Sequence, residues 1–227
     1  MTPPGKMIAF AASSQPQLDG YLARPEGGGP FPGMVVIHEA YGLNENMRDI
    51  ARRFAGEGYV ALAVDLFGGR NLVLCMMRMF GGMILKSLDH AGVRDLKAAL
   101  TFLAEQPAVD GTRLGAIGFC MGGSLAIALS CADNRLKAIA PYYAMNPRPL
   151  GAVARACPVV GSYPDPDFTT KAGRALDDEL DKHDVEHDIK IYPGAKHSFF
   201  NDQGGNYDAG AATDSWRRVL AFFGEHV

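Results

Sequence analysis

The stretch Leu114-Gly-Ala-Ile-Gly-Phe-Cys-Met-Gly-Gly (residues 114–123) decides the fold of this chain. Its first half is an apolar run of the kind that forms a buried strand, and its second half reads G-x-C-x-G, with Cys120 between Gly118 and Gly122. Small residues from Ser124 onward predict a helix. The G-x-S-x-G motif in this setting is a sharp strand-to-helix turn that exposes its central side chain, the nucleophile elbow. Glycines are expected beside that residue because the backbones approach too closely for a Cβ atom.

The predicted helix after Cys120 would support a reaction at the cysteine. Its N-terminus favours negative charge, so we expect it to help a thiolate form and an oxyanion bind. The alternative is a glycine-rich turn that happens to hold a buried cysteine. The position of the motif between a strand and a helix, midway along the chain, favours the nucleophile.

Apolar runs and helical segments alternate on both sides of this motif. Strands are predicted at Met34–Ile37, Tyr59–Val64, Leu114–Ile117, Leu136–Pro141, Pro158–Val160 and Ile189–Tyr192, after a hairpin of Lys6–Ala11 and Leu18–Ala23. Apolar positions at helical spacing predict helices over Val93–Leu103, Ala172–Leu180 and Ala209–Phe223. This alternation predicts an α/β fold with a mostly parallel, doubly wound sheet flanked by helices, in one domain over residues 1–227.

Composition excludes several classes of function. The 227 residues are 48% hydrophobic and 21% charged, with a net charge of −3, so we expect an ordinary globular protein with no basic surface for nucleic acid. The apolar segment Leu72–Leu85 is too short and too interrupted to span a membrane. Four scattered cysteines lack the spacing of a zinc site and indicate reduced thiols in the cytoplasm.

A cysteine nucleophile needs a base, and the base needs an orienting acid. Of six histidines, His197 follows a predicted strand in YPGAKHSFF, and His38 ends another. Solvated surface histidines are expected at the other four positions, His90, His183, His187 and His226. The acid should follow the strand at Pro158–Val160, where Asp165 and Asp167 both occur and spacing alone does not choose between them.

Glu39 is an unusual residue for its position. It follows a predicted core strand in HEAYGL, in the loop that supplies an oxyanion N–H in α/β-hydrolases. A glutamate there would lie close to the nucleophile, although a solvated loop acid is an equally good interpretation.

At these residues the chain resembles the dienelactone hydrolase family of α/β-hydrolases (carboxymethylenebutenolidase-like). The resemblance extends from about Asp19 to Phe223 and is specific because four blocks occur in order. The blocks are HEAYGLN at 38–44, YVALAVDLF at 59–67, GFCMGG at 118–123 and YPGAKHSFF at 192–200.

The resemblance implies an α/β-hydrolase fold and hydrolysis of a small ester or lactone by acyl transfer to sulfur, with no metal or organic cofactor. The positions that match the family's Cys-His-Asp triad and its nearby glutamate are Cys120, His197, Asp167 and Glu39. The resemblance favours Asp167 over Asp165. It places the oxyanion-hole N–H groups on Met121 and Ala40.

The chain departs from the family where two arginines hold the substrate carboxylate. Asn201 stands in place of one, and Arg78 corresponds to the other only through a gapped alignment. Loss of one charge-assisted contact, worth about 1.5–3 kcal/mol, argues against dienelactone itself as substrate. The surrounding segment Leu72–Leu85 is interpreted as a buried helix or as an apolar lid over the site.

Two other functions are compatible with parts of this pattern. A non-catalytic α/β-hydrolase-like module could bind a ligand, but it would not need Cys120, Asp167 and His197 together. A redox thiol at Cys120 would need a resolving cysteine, for which Cys131, one helix away, is the nearest candidate in sequence. The sequence leaves the natural substrate and the oligomeric state open.

Overall fold

A computed structural model of the chain describes residues 4–68, 77, 81 and 87–227. Eight strands within these residues form one sheet. They are β1 (Gly5–Ala11), β2 (Gln17–Ala23), β3 (Phe31–Ile37), β4 (Val60–Asp65), β5 (Val109–Phe119), β6 (Leu136–Tyr142), β7 (Val159–Asp165) and β8 (His187–Pro193). Cys75, Arg78 and most of Leu72–Leu85 lie outside the described residues.

The strand order is β1-β2-β4-β3-β5-β6-β7-β8. The predicted hairpin, β1 with β2, is antiparallel at one edge and joins β4 in antiparallel orientation, and all the other neighbours are parallel. The mostly parallel, doubly wound sheet predicted from the sequence is therefore confirmed. Strand β5 begins at Val109, earlier than predicted, because its first residues pair with β3 ahead of a register shift.

Besides the strands, the described residues form five α-helices and a 3₁₀ helix (Leu150–Arg155). The α-helices are α1 (Glu45–Gly56), α2 (Ala91–Ala104), α3 (Met121–Ala132), α4 (Thr170–Lys182) and α5 (Ala209–His226). The three helices predicted from periodicity correspond to α2, α4 and α5. Helix α3 begins directly after Cys120, three residues before the predicted start. None of the helices in the described part of the chain is long and apolar enough to cross a bilayer.

The sheet is covered on both faces, which explains its continuous apolar strands. Successive side chains of a strand point to opposite faces. In β3, Val35 and Ile37 join the core beneath α2, α3 and α4, whereas Met34 and Val36 join the core beneath α1 and α5. All four side chains are fully buried.

The parallel strands bring distant parts of the chain to one edge of the sheet. Their carboxyl ends meet there, which is where open α/β sheets bind ligands. Glu39 follows β3, Cys120 follows β5, Asp167 follows β7, and His197 lies in the loop after β8. The topology thus collects the residues singled out in the sequence.

His90 is buried, so the expectation of a solvated histidine at this position is wrong. Its Nδ1 accepts a hydrogen bond from the Gly92 N–H at 3.2 Å and caps the start of α2. Burial and then the charge of Arg94 lower the pKa of His90. Nδ1 must be unprotonated to accept this bond, so the folded protein holds His90 neutral.

We expect the H90N variant to flatten the dependence of stability on pH. Below the unfolded-state pKa of about 6.5, the unfolded chain binds a proton that folded His90 resists. The contribution of neutral His90 to the free energy of unfolding is therefore complete above that pH. It is lost as the pH falls, at up to about 1.4 kcal/mol per pH unit for one proton. Asparagine preserves a cap acceptor without titrating. Urea unfolding at pH 7.5 and 5.5 measures the change, and equal slopes in both proteins would contradict the role of His90.

Candidate active site

Cys120 occupies a strained turn between β5 and α3. Its φ of 54° and ψ of −113° lie where non-glycine residues are uncommon, and such strain persists only when the surroundings impose it. The Cys120 N–H donates to the Tyr142 carbonyl at 3.0 Å, which fixes the turn against β6. The Ser124 N–H donates to the Cys120 carbonyl at 3.1 Å and begins the helical hydrogen bonding.

The glycines of G-x-C-x-G are required by backbone contacts. A Cβ atom at Gly118 would lie 2.1 Å from the Gly122 carbonyl oxygen. A Cβ atom at Gly122 would lie 2.3 Å from the Ile37 carbonyl oxygen and 2.6 Å from that of His38. Both distances are far below van der Waals contact, so the turn has the close-packed geometry predicted for it. The same contacts place the end of β3 directly against the elbow.

His197 and Asp167 form a hydrogen-bonded pair. The His197 Nδ1 lies 3.2 Å from Asp167 Oδ1, although the two residues are 30 positions apart. The same oxygen accepts the Thr169 N–H at 2.8 Å, which holds the carboxylate in place. Asp165 points elsewhere and pairs with the exposed guanidinium of Arg174 at 3.3 Å. Of the two aspartates that the sequence left open, the structure therefore pairs Asp167 with His197.

Aromatic rings enclose the His197 imidazole. Phe168 stacks on it with a centroid separation of 4.7 Å and an interplanar angle of 25°. The ring of Tyr143 lies 4.9 Å away at 55°. These contacts restrict the imidazole to the orientation that its hydrogen bond to Asp167 requires.

Glu39 is buried rather than solvated, with 3% of its surface exposed. Its Oε1 accepts a hydrogen bond from the Ser198 hydroxyl at 2.8 Å, and its Oε2 is buried without a hydrogen-bond partner in the described part of the chain. Burial holds the pKa of Tyr143 well above its ordinary value. The charge of Glu39 and a hydrogen bond to it raise this pKa in the same direction. A carboxylate therefore lies inside the site, as one interpretation of the sequence required.

Cys120 is held as a neutral thiol in this environment, although the helix N-terminus was expected to help a thiolate form. Burial, together with the charges of Glu39 and Asp167, raises the pKa of the Cys120 thiol to about 11. A hydrogen bond from the Met121 N–H to the sulfur acts in the opposite direction. The helix start therefore favours the thiolate, but desolvation outweighs it.

Known proteins resemble this chain over nearly its whole length. The model of the "Dienelactone hydrolase family" matches residues 18–227. The chain belongs to the dienelactone hydrolase family. A protein of Saccharolobus solfataricus named "Putative carboxymethylenebutenolidase" is 32% identical to it, over 94% of this chain and 96% of that protein. The family is one of hydrolases, so the chain is an enzyme rather than a non-catalytic binding module.

Solved structures show the same fold over the full length. The structure titled "m3DLH" is 32% identical, with a TM-score of 0.85, and the match covers 100% of this chain and 99% of that one. A dienelactone hydrolase-like promiscuous phosphotriesterase from metagenomic libraries is 28% identical, with a TM-score of 0.86 and 98% of each chain covered. The predicted α/β-hydrolase fold is thereby confirmed.

The resemblance to dienelactone hydrolases places Asn201 and Arg78 at the positions of two arginines that bind the substrate carboxylate. Asn201, in the place of one of them, accepts the Gln203 N–H on its side-chain oxygen at 3.1 Å and forms a turn. Its own N–H donates at 3.0 Å to the carbonyl of Ser198, the residue directly after His197. Arg78 lies outside the described residues.

A redox partnership of Cys120 with Cys131 does not fit the structure. The two residues lie at opposite ends of α3, and a rise of about 1.5 Å per residue separates them by roughly 16 Å. A disulfide needs Cα atoms within about 7 Å. The high pKa of Cys120 is also opposite to that of peroxide-reactive thiols.

Sequence reasoning missed Ser198, Tyr143 and Phe168. Ser198 is 159 positions from the glutamate that it binds, and Tyr143 faces the same glutamate from the loop after β6, so no spacing in the sequence connects them. For Phe168 and Ser198 a signal existed, because each directly follows a predicted site residue.

Proposed function

We propose that this member of the dienelactone hydrolase family cleaves uncharged esters or lactones through the nucleophile Cys120, with His197 as base and Asp167 as its orienting acid. The hydrogen bond from His197 to Asp167, at the same sheet edge as the cysteine elbow, is the observation that carries the proposal. Cysteine, histidine and aspartate are together a sufficient set for covalent acyl transfer.

Acylation begins with the neutral thiol. Glu39 takes the proton of Cys120, and the sulfur attacks the ester carbonyl carbon. The oxyanion that forms accepts hydrogen bonds from the Met121 and Ala40 N–H groups. When the carbon–oxygen bond breaks, the same proton returns from Glu39 to the departing alcohol oxygen, leaving a thioester on Cys120.

Deacylation uses the histidine pair. His197 Nε2 removes a proton from water as the water oxygen attacks the thioester, while Nδ1 remains bonded to Asp167, whose charge stabilises the imidazolium. Collapse of the second oxyanion releases the acid, and the sulfur regains its proton from His197. Over both steps the alcohol carries away the thiol proton and a proton from water replaces it, so Cys120, Glu39 and His197 return to their starting protonation states.

An apolar surface around the site supports an uncharged substrate. Three large apolar side chains that follow β3, β7 and β6 at this edge are exposed: Tyr41 by 72%, Phe168 by 67% and Met145 by 45%. Clusters of exposed apolar groups mark binding surfaces. Phe168 stacks on His197, so an apolar group resting on its outer face would lie beside the reacting carbonyl.

The proposal is tested by trapping the acyl-enzyme. Acid quenching of the protein during turnover of an aryl ester, followed by peptide mass measurement, should show the acyl group on the peptide that contains Cys120. Wild-type protein that hydrolyses the ester while the acyl group appears only elsewhere, or nowhere, would overturn the covalent route.

Asn201→Arg should improve binding of an acidic lactone without helping a neutral ester. A restored charge-assisted contact of about 1.5–3 kcal/mol corresponds to roughly 10–150-fold in affinity, seen as a lower KM for dienelactone. The KM for a neutral aryl ester should change by less than about threefold. The matched control is Gln203→Arg, which adds the same charge at an exposed position of the same turn. If both variants act alike, the effect is not specific to position 201.

The cellular location and the binding partner are also part of the proposal. The three described cysteines, Cys120, Cys131 and Cys157, are all unpaired, which supports a cytoplasmic location as part of the proposal. The partner we propose is the small-molecule substrate alone, with no nucleic acid and no membrane.

A further inference from the structure

His38 lies beside the site but takes no part in the proposed proton transfers. It is fully buried at the end of β3, and the ring of Phe67 packs against it at a centroid distance of 4.7 Å. A buried imidazole with two polar nitrogens must satisfy both of them, and its partners reveal which nitrogen carries the proton.

The two partners of His38 fix one tautomer. Nε2 lies 3.1 Å from the Leu66 N–H, which can only donate, so Nε2 is unprotonated. Nδ1 lies 2.5 Å from the Glu39 carbonyl oxygen, which can only accept, so Nδ1 carries the hydrogen. Burial lowers the pKa of His38, in agreement with a neutral ring.

The hydrogen bond to the Glu39 carbonyl orients the next N–H. The bond between Glu39 and Ala40 is not among the cis peptide bonds of the described chain, so the carbonyl oxygen and the Ala40 N–H point to opposite sides of one rigid plane. The imidazole binds this oxygen closely, with the Gly42 N–H as a more distant second donor at 3.4 Å, and so fixes the orientation of the plane. The Ala40 N–H finds no acceptor among the described residues, as suits a group kept for a ligand.

The elbow lies close to this peptide. A Cβ atom at Gly122 would be 2.6 Å from the His38 carbonyl oxygen, so the backbone of His38 and Glu39 is packed directly on the turn that carries Cys120. A small rotation of the 39–40 peptide would therefore move an oxyanion donor relative to the sulfur.

We propose that His38 is a positioning residue. Its neutral Nδ1–H form orients the Ala40 N–H toward the oxyanion and fixes the backbone from which the Glu39 side chain projects. The inference rests on the proposed function, since it assumes that Ala40 belongs to the oxyanion hole. His38 neither touches substrate nor exchanges a proton during turnover.

Two variants separate this role from a merely structural one. In His38→Asn the side-chain amide can replace Nδ1–H as donor to Glu39 but loses the acceptor for Leu66. In His38→Gln the longer side chain can replace Nε2 as acceptor for Leu66 but loses the donor to Glu39. Each variant loses one buried hydrogen bond, so similar losses of thermal stability are expected.

The two variants should differ in kcat. Loss of a whole oxyanion donor costs about 10²–10³-fold in kcat, so a misoriented donor in His38→Gln should cost roughly 10–100-fold, with KM within about twofold. The kcat of His38→Asn should remain within about threefold of wild type. Inhibition by an aryl trifluoromethyl ketone, whose adduct carries an oxyanion, should weaken by the same factor as kcat in His38→Gln. Equal kcat losses in both variants would reduce His38 to a structural role.

The wild-type protein supplies a test that needs no variant to fold. Long-range ¹H–¹⁵N spectra should show His38 as the Nδ1–H tautomer throughout pH 6–8, and an Nε2–H tautomer would overturn the inference. The acyl-enzyme measurement keeps the two proposals apart. If wild type acylates Cys120 but His38→Gln retains full kcat, only the role of His38 fails; if Cys120 is never acylated, the proposed function fails.

Discussion

Replacing Cys120 with alanine should lower ester hydrolysis by about 10⁴-fold or more, because the proposed acyl intermediate forms on its sulfur. Alanine has the same Cβ atom, so it meets the same backbone constraint at φ 54° without new strain. The variant should therefore fold, with a melting temperature close to that of wild type. Initial rates on a neutral aryl ester, with the melting temperature measured in parallel, check both statements.

The other described cysteines provide the matched controls. Cys131 is 5% exposed on α3 and Cys157 is partly buried ahead of β7, so both are packing residues. Cys131→Ala and Cys157→Ala should keep kcat/KM within about threefold, even where they reduce stability. Full activity in Cys120→Ala would end the cysteine mechanism, whatever the controls show.

The same residue should be a slow target for simple alkylation. With the pKa of Cys120 near 11, only about one molecule in 10⁴ is a thiolate at pH 7. Modification of the Cys120 peptide by iodoacetamide should therefore accelerate about tenfold per pH unit between pH 7 and 10. Turnover of esters at neutral pH then requires that a neighbouring base take the proton when substrate is present, which is the role given to Glu39.

The sequence predicted the parts of the fold that depend on local pattern. Strands such as β3 and β4 are apolar at successive positions because both faces of the sheet are covered. These apolar runs can be recognised in the sequence alone. Helix α1 was not predicted, although Asn44 caps it and the buried residues Met47, Ile50 and Phe54 recur at helical spacing. Its low overall hydrophobicity concealed a signal that periodicity contained.

The sequence could not predict properties that depend on burial. The helix start behind Cys120 correctly indicated a field favourable to the thiolate, but desolvation of the sulfur is larger and is set by packing. The position of Glu39 was left open for the same reason, because its burial depends on Ser198 and Tyr143, which lie in the loops after β8 and β6. Chain order led to the proposed triad of Cys120, Asp167 and His197, whereas the tertiary fold sets the protonation of its members.

Asp167→Asn should lower kcat/KM for a neutral ester by roughly 10²–10⁴-fold. The amide oxygen can still accept hydrogen bonds from His197 and from the Thr169 N–H, so the loop should keep its conformation. The variant loses the negative charge that stabilises the imidazolium of His197 while water attacks the thioester. Deacylation should therefore slow most, and the acyl group on Cys120 should accumulate during turnover.

Asp165→Asn is the matched control, since it makes the same chemical change two residues away. Asp165 forms an ion pair with Arg174, whose side chain is 61% exposed, and surface pairs of this kind contribute about 0–1 kcal/mol. Its activity should stay within about threefold of wild type. Steady-state kinetics and the fraction of acylated Cys120 at quench distinguish the two aspartates. If Asp165→Asn is the damaging change and Asp167→Asn is not, the hydrogen bond between His197 and Asp167 does not operate in catalysis, because position 165 then supplies the charge that the imidazolium needs.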